Sequence, residues 1–140
     1  MFIMVEPKER KLYEKLLGER NSRKITLILG PRQVGKTTLI KKLHGELGGL
    51  FLDLDVLENF EKAGSYGALL NTLKLNGYME SQKEPFYLFL DEFQHYDELT
   101  RIMKNLFDNN KNVKIYASGS SSLKIKEQVQ ESLAGRKNIF

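Results

Sequence analysis

Two hydrophobic periods alternate along this chain. Short apolar runs are typical of buried strands, and the segments between them carry apolar residues at three- and four-residue spacing, as amphipathic helices do. The apolar runs predict strands at 24–29, 50–55, 86–90, 113–117 and 138–140. The helical spacing predicts a helix that starts at Pro7 and ends near Gly18, and further helices at 36–47, 66–75, 97–109 and 121–133.

This alternation predicts the fold class. Strands separated by helices are typical of parallel sheets, in which each crossover helix covers a sheet face. We therefore expect an α/β fold, a three-layer α/β/α sandwich with a parallel sheet. The 140 residues suit one domain, so we expect residues 1–140 to form a single core domain with an N-terminal helix over 1–20.

Composition narrows the class of protein further. Hydrophobic residues make up 41% and charged residues 29%, which is typical of a globular chain. The absence of cysteine excludes disulfides and thiolate metal sites. The longest apolar runs, such as Phe86–Leu90, are too short to span a bilayer, and the N-terminus lacks the apolar segment of a signal peptide. We expect a cytoplasmic protein with no membrane partner.

The chain is basic, with a net charge of +4 and a pI near 9.2. Its lysines and arginines lie in short groups along the whole sequence, as on solvated faces. A nucleic-acid partner is compatible with this charge, but no clustering with aromatic residues supports it.

The stretch GPRQVGKTT, which follows the first strand and opens a helix, is the strongest motif. Gly30, Gly35, Lys36 and Thr37 match the phosphate-loop pattern G-x-x-x-x-G-K-[ST]. A loop that turns successive N–H groups towards a phosphate needs backbone geometry that glycine adopts without steric cost, and the helix N-terminus adds partial positive charge. Pro31 lacks an N–H and stiffens the start of the loop. The sequence therefore predicts a nucleotide phosphate site.

Each loop residue has an expected role. The N–H donors to phosphate are Val34, Gly35, Lys36 and Thr37. Lys36 would bridge the β- and γ-phosphates, and the Thr37 hydroxyl would be a Mg²⁺ ligand. Thr38 is either an α-phosphate contact or an ordinary helix residue.

A second motif, FYLFLDEFQ at 86–94, is an apolar strand that ends in two acids. If this strand lies beside the phosphate loop, Asp91 reaches the Mg²⁺ and Glu92 polarises an attacking water. The alternative is that the acids merely follow a strand and cap a helix. We expect His95 to be a surface or supporting residue and not a base.

Together GPRQVGKTT, FLDEFQ, and YASGSSS before ESLAGR resemble the AAA+ ATPases. Within them the chain is similar to prokaryotic ATP-binding proteins, abundant in archaea, that are related to signal-transduction NTPases. The resemblance covers about residues 20–140. It implies a P-loop NTPase core with strand order 5-1-4-3-2, and ATP and Mg²⁺ as cofactors.

The resemblance also implies two further site residues. Ser118 falls at the sensor position that hydrogen-bonds the γ-phosphate or the water, and Ser120 is the less favoured alternative for this position. The alternative is a serine-rich helix start with Ser120 or Ser121 as the cap. Arg136 lies where an AAA+ arginine can reach a neighbouring subunit's nucleotide.

The chain departs from the family pattern because it stops at Phe140, before the helical lid that follows the fifth strand in AAA+ proteins. We expect an ATP-binding domain that hydrolyses ATP with Mg²⁺ as part of a longer or oligomeric protein. Its partners would be further copies of the same chain in a homo-oligomer, or its own missing C-terminal domain. Alone, the 140-residue chain should bind Mg-ATP weakly and turn it over slowly or not at all.

A phosphate loop also occurs in three other functional classes. A GTPase is disfavoured, since no D-x-x-G follows the acid strand and NNKNVK lacks the aspartate of N-K-x-D. A small P-loop kinase shares the phosphate loop, but adjacent Asp91 and Glu92 suit water activation better. A nucleotide-gated interaction module without turnover is the main alternative.

Overall fold

The computed structural model describes residues 7–31 and 35–140. The strands are β1 (Ile25–Leu29), β2 (Leu50–Asp53), β3 (Phe86–Asp91), β4 (Val113–Gly119) and β5 (Lys137–Ile139). The helices are α1 (Pro7–Gly18), α2 (Lys36–Leu47), α3 (Phe60–Ala63), α4 (Tyr66–Leu75), α5 (Leu99–Asn109) and α6 (Leu123–Leu133).

All five strands form one parallel sheet in the order β2-β3-β4-β1-β5. Read from the other side, this is the expected order 5-1-4-3-2. Helices α1 and α2 cover one face of the sheet, and α3 to α6 cover the other. The three-layer α/β fold is therefore confirmed. None of the described helices is long and apolar enough to cross a membrane.

Alternating side chains of the central strands separate the two core layers. Leu88 and Leu90 of β3 face α3 to α6, whereas Phe89 faces α1 and α2. Phe89 stacks on Tyr116 with ring centroids 5.3 Å apart, and the Tyr116 hydroxyl donates to the Leu16 carbonyl at 2.6 Å. This buried hydrogen bond fixes α1 against the sheet, beside the helix that follows the phosphate loop.

Several elements end at residues other than those predicted. Strand β2 ends at Asp53, before the predicted Asp55, because the Asp55 N–H donates to the Asp53 carboxylate at 3.0 Å and starts a turn. The polar turn before α5 delays that helix to Leu99, and α3 was not predicted because a four-residue helix is too short for a clear period. Strands β3 and β4 run on to Asp91 and Gly119.

The start of α6 also corrects a prediction. The cap is Ser122, whose Oγ accepts a hydrogen bond from the Ile125 N–H at 3.3 Å. Neither Ser120 nor Ser121 caps this helix. The three serines differ little in sequence, and only the backbone conformation decides which of them can cap.

Candidate nucleotide-binding site

The carboxyl ends of three adjacent strands meet at the start of α2. Strand β4 lies between β1 and β3, so Gly30, Gly119 and Asp91 all reach the same edge of the sheet. The Gly30 N–H donates to the Gly119 carbonyl at 3.2 Å, which ties the loop after β1 to the end of β4. Ligands of parallel α/β sheets bind at this edge.

The second loop glycine has the backbone conformation that the motif requires. Gly35 precedes α2 with φ 76° and ψ 20°, in the left-handed region that other residues rarely adopt. The α2 N-terminus follows directly, with Lys36 and Thr37 in its first turn. Val34, predicted as a further N–H donor, lies outside the described residues, and Thr38 is exposed on α2.

Lys36 is 2% exposed, and its ammonium lies between the ends of β1 and β4. Nζ donates to the Gly30 carbonyl at 2.7 Å and to the Gly119 carbonyl at 2.8 Å. Burial of an ammonium is costly unless its donors are satisfied. The two carbonyls satisfy this requirement and hold a positive charge at the phosphate loop.

Asp91 connects the two predicted motifs. The Thr37 hydroxyl donates to Asp91 Oδ2 at 2.8 Å, and the Ser118 hydroxyl donates to Asp91 Oδ1. Asp91 is 1% exposed, and burial raises its pKa, although the two hydroxyl donors oppose this. The negative charges of Glu92 and Asp53 raise the pKa further. A cation at this carboxylate would offset both unfavourable contributions.

Glu92 has an unusual backbone. With φ 64° and ψ 51° it lies in the left-handed region, alone among the described non-glycine residues. Its N–H donates to Ser118 Oγ at 3.0 Å, and its side-chain Oε2 accepts a hydrogen bond from the Gln94 amide. Such strain costs roughly 1–3 kcal/mol and is concentrated at functional sites, because the surroundings must enforce it.

Ser118 lies behind the two acids. Its buried hydroxyl donates its one hydrogen to Asp91 and accepts from the Glu92 N–H, so a hydrogen bond from Ser118 to a phosphate would require the bond to Asp91 to break. Its sensor role stays a prediction. Ser120, the other residue considered, donates its N–H to Gln94 Oε1 at 3.2 Å.

Arg136 is not part of this site within one chain. It precedes β5, and its carbonyl accepts from the Ile25 N–H at the amino end of β1, so it lies at the opposite edge of the sheet. Its guanidinium binds Asp108 in a bidentate manner, with Nε–Oδ1 at 2.8 Å and Nη2–Oδ2 at 3.1 Å. Action on a neighbouring subunit, as predicted, is compatible with this position.

Three residues of the site were not identified from the sequence. Gln94 links the Glu92 carboxylate to the Ser120 backbone, and the Gly119 carbonyl holds Lys36. Asp53 pairs in register with Asp91 and adds negative charge near it. The motif FLDEFQ includes this glutamine, but its position two residues after Glu92 does not predict that its side chain returns to the Glu92 carboxylate.

The donor set fits a nucleotide with a divalent cation. A buried ammonium and a helix N-terminus suit phosphates, and the Thr37–Asp91 pair supplies the two oxygens that commonly hold Mg²⁺ beside them. Within 7–31 and 35–140, no group of three or more acidic or histidine side chains could hold a metal by itself. This is the usual case for Mg²⁺, which takes one or two protein ligands together with phosphates and waters.

A phosphate loop between a parallel strand and a helix, beside a strand ending in paired acids, defines the class of P-loop NTPases. The family model described as "AAA domain" matches residues 22–140. The chain belongs to this family and is an ATP-binding P-loop NTPase domain of the AAA+ type. A search of curated protein sequences finds no match to it.

Solved structures share the fold at low sequence identity. A Walker-type ATPase of Pyrococcus abyssi is 22% identical, with a TM-score of 0.61 over 98% of this chain and 53% of that one. PCH-2 of C. elegans is 16% identical, with a TM-score of 0.63 over 99% of this chain and 42% of that one. A RuvB variant of Thermotoga maritima is 17% identical, with a TM-score of 0.60 over 98% and 45%. The chain spans about half the length of these structures.

Proposed function

We propose that this domain hydrolyses ATP with Mg²⁺, as the core of a longer or oligomeric cytoplasmic protein. The observation that carries the proposal is the Thr37–Asp91–Glu92 arrangement beside the buried ammonium of Lys36. It combines a phosphate cradle with a cation site and, one residue further, a carboxylate suited to water. The first two features would serve any transfer of the γ-phosphoryl group, and the carboxylate directly beside the cation site favours water as the acceptor.

In the proposed reaction, water attacks the γ-phosphorus in line with the departing oxygen of ADP. Glu92 orients this water and takes its proton as the new oxygen–phosphorus bond forms and the bond to ADP breaks. Lys36 and the loop N–H groups offset the negative charge on the phosphate oxygens. Thr37 and Asp91 would hold Mg²⁺, which neutralises phosphate charge when bound.

Gln94 and Ser118 would then be positioning residues. Ser118 fixes the backbone of Glu92 and the carboxylate of Asp91 at the same time. Gln94 holds the Glu92 carboxylate from the other side. Both therefore restrict the geometry of the acid pair, and a sensor contact from Ser118 to the γ-phosphate would link that geometry to the nucleotide state.

Arg136 remains our proposal for a residue that acts on the nucleotide of a neighbouring subunit. Such an arginine contributes about 10³–10⁵ in rate, provided that it leaves any ion pair in its own chain. Here it would have to release Asp108. If neither Arg136→Ala nor Asp108→Asn changes the turnover rate of the assembled protein from that of the wild type, this role is excluded.

A nucleotide-gated module without turnover is the second candidate. Gln94 favours it, because its amide occupies one oxygen of the Glu92 carboxylate that hydrolysis requires. If the hydrogen bond from Gln94 to Glu92 persists with ATP bound, the domain would bind and release nucleotide as a switch.

Calorimetry of Mg-ATP binding tests the first step of the proposal. We expect Lys36→Ala to weaken binding by at least about 100-fold, since a buried ammonium paired with phosphate is lost. Glu92→Gln should retain the affinity of the wild-type chain. No binding by the wild-type chain, checked to be folded by circular dichroism, would contradict a working site in these 140 residues.

Release of phosphate then separates ATPase from switch. The chain alone should turn over more slowly than about 1 s⁻¹, with the rate rising as its concentration or that of its partner increases. A zero rate at every concentration, with binding intact, would leave the switch as the function.

A further inference from the structure

A cavity of about 250 Å³ lies at the amino edge of the sheet, opposite the nucleotide site. We call it the amino-edge pocket. Four of its lining residues are cationic and none is acidic: Arg20, Arg23, Lys111 and Lys114. The parallel register sets Lys114 of β4 beside the chain that enters β1, so this end of the sheet forms the floor.

Lys114 is 3% exposed. Its Nζ donates to the Thr26 hydroxyl at 2.7 Å and to the Lys24 carbonyl, both of which are neutral. Thr26 in turn donates to Glu19 Oε1 at 3.3 Å, and the same oxygen accepts from the Asn138 amide at 2.8 Å. Among the described residues, no carboxylate forms an ion pair with this buried ammonium.

The rim of the pocket adds further donors. In the part of the chain that the structure describes, Arg23 and Lys111 have no ion-pair partner, and Arg20 donates to the Leu17 carbonyl at 3.0 Å. Ser22 Oγ accepts from the Lys24 N–H at 3.1 Å, so its hydroxyl hydrogen can donate into the pocket.

Four like charges around one cavity repel each other, and the cost is highest for the buried one. An anion in the cavity would replace this repulsion with attraction. At roughly 30 Å³ per water molecule, the volume holds a phosphate group with several waters. We propose that the amino-edge pocket is a second anion site, which binds inorganic phosphate or the phosphate of a small phosphomonoester independently of the nucleotide site.

Residue-resolved NMR of the full 140-residue chain tests this proposal directly. Titration with inorganic phosphate at constant ionic strength should give saturable shifts at the Ser22, Arg23 and Asn112 amides, with a Kd on the order of 1 mM. The Gly35, Lys36 and Thr37 amides report phosphate at the nucleotide loop separately. Equal shifts with sodium chloride at matched ionic strength would overturn the proposal.

Two exposed variants provide the matched test. Arg23→Gln and Lys111→Gln should each weaken phosphate binding at the pocket amides by about five-fold, and leave the loop amides unchanged. Lys62→Gln, which removes the same charge from an exposed site on α3, is the control and should change neither. If the control weakens binding as much as the pocket variants, the effect is general charge and no site exists.

Methyl phosphate distinguishes the two sources of the phosphate group. Binding within about two-fold of inorganic phosphate assigns the site to phosphomonoesters, whose ester group would project through the open side. Binding of inorganic phosphate only assigns it to the free ion. If neither ligand moves the pocket amides at about 20 mM, well above the expected Kd, the proposal is wrong.

Discussion

The sheet holds a buried lysine at each of its two edges. Lys36 at the carboxyl edge and Lys114 at the amino edge are 2% and 3% exposed, and each donates to oxygens at the ends of neighbouring strands. They differ in what surrounds them. Lys36 lies at a helix N-terminus, next to Thr37 and its partner Asp91, whereas Lys114 lines a pocket together with three other cationic residues.

This difference shows that burial of a charge does not by itself identify a catalytic site. At the carboxyl edge, opposite charges converge and a strained residue, Glu92, completes the arrangement. The charged residues that line the amino-edge pocket all have one sign, so this pocket can bind an anion, but none of them is a carboxylate that could activate water. Apart from the role proposed for Arg136 on a neighbouring subunit, the chemistry should therefore depend on the carboxyl edge only.

The largest expected effect is on turnover. Glu92→Gln should lower the hydrolysis rate of the most active assembled form by about 10²–10⁴, because the carboxylate that orients water is lost. Lys114→Met, at the other edge, should leave the rate within two-fold. Phosphate release measured at saturating Mg-ATP checks both, and a comparable loss in the two variants would mean that the edges are coupled.

A smaller effect concerns stability in alkaline solution. Burial lowers the pKa of Lys114 to about 8 from its ordinary 10.5, with Glu19 opposing the shift. Between these values the unfolded chain binds more protons than the folded one, so the free energy of unfolding rises with pH. We expect a gain of about 2 kcal/mol from this lysine between pH 7 and 9.5, below the titration of the tyrosines.

Urea unfolding at several pH values measures this gain. The free energy of unfolding of Lys114→Met should be nearly constant between pH 7 and 9.5. That of Lys111→Met, which changes an exposed neighbour, should rise with pH as in the wild type. A wild-type stability that stays constant or falls from pH 7 to 9.5 would show that Lys114 keeps its charge without cost.

The smallest effect tests the packing of the carboxyl edge. A Cβ added at Gly119 would lie 2.5 Å from the Phe93 ring, so Gly119→Ala should destabilise the fold by about 1.5 kcal/mol. Gly45→Ala on α2 meets no atom within 4 Å and should stabilise it by up to about 1 kcal/mol. Thermal unfolding of the two variants gives the comparison, and shifts of the same sign would contradict it.

The sequence alone predicted the features that depend on near neighbours. The phosphate loop and the acid pair each lie within a few residues, and the strands and helices follow from local periods. The strand order came from the family resemblance, since periodicity does not say which strands pair. Asp53 became a neighbour of Asp91 only through the register of two strands, which no local pattern encodes.

The choice among similar residues was also beyond local reasoning. Ser122 caps α6 where Ser120 and Ser121 were considered, and Gln94 turns back to Glu92. Both outcomes depend on backbone angles that tertiary packing fixes. The left-handed conformation of Glu92 is the clearest case, because glutamate has no intrinsic preference for it.

Because of that conformation, stability and activity have opposite requirements at position 92. Glycine at position 92 would relieve roughly 1–2 kcal/mol of backbone strain, because it adopts left-handed angles freely. It would also remove the carboxylate. A library of this domain sorted only for thermal resistance should therefore enrich Glu92→Gly and lose hydrolysis, so engineering for robustness must hold this position fixed.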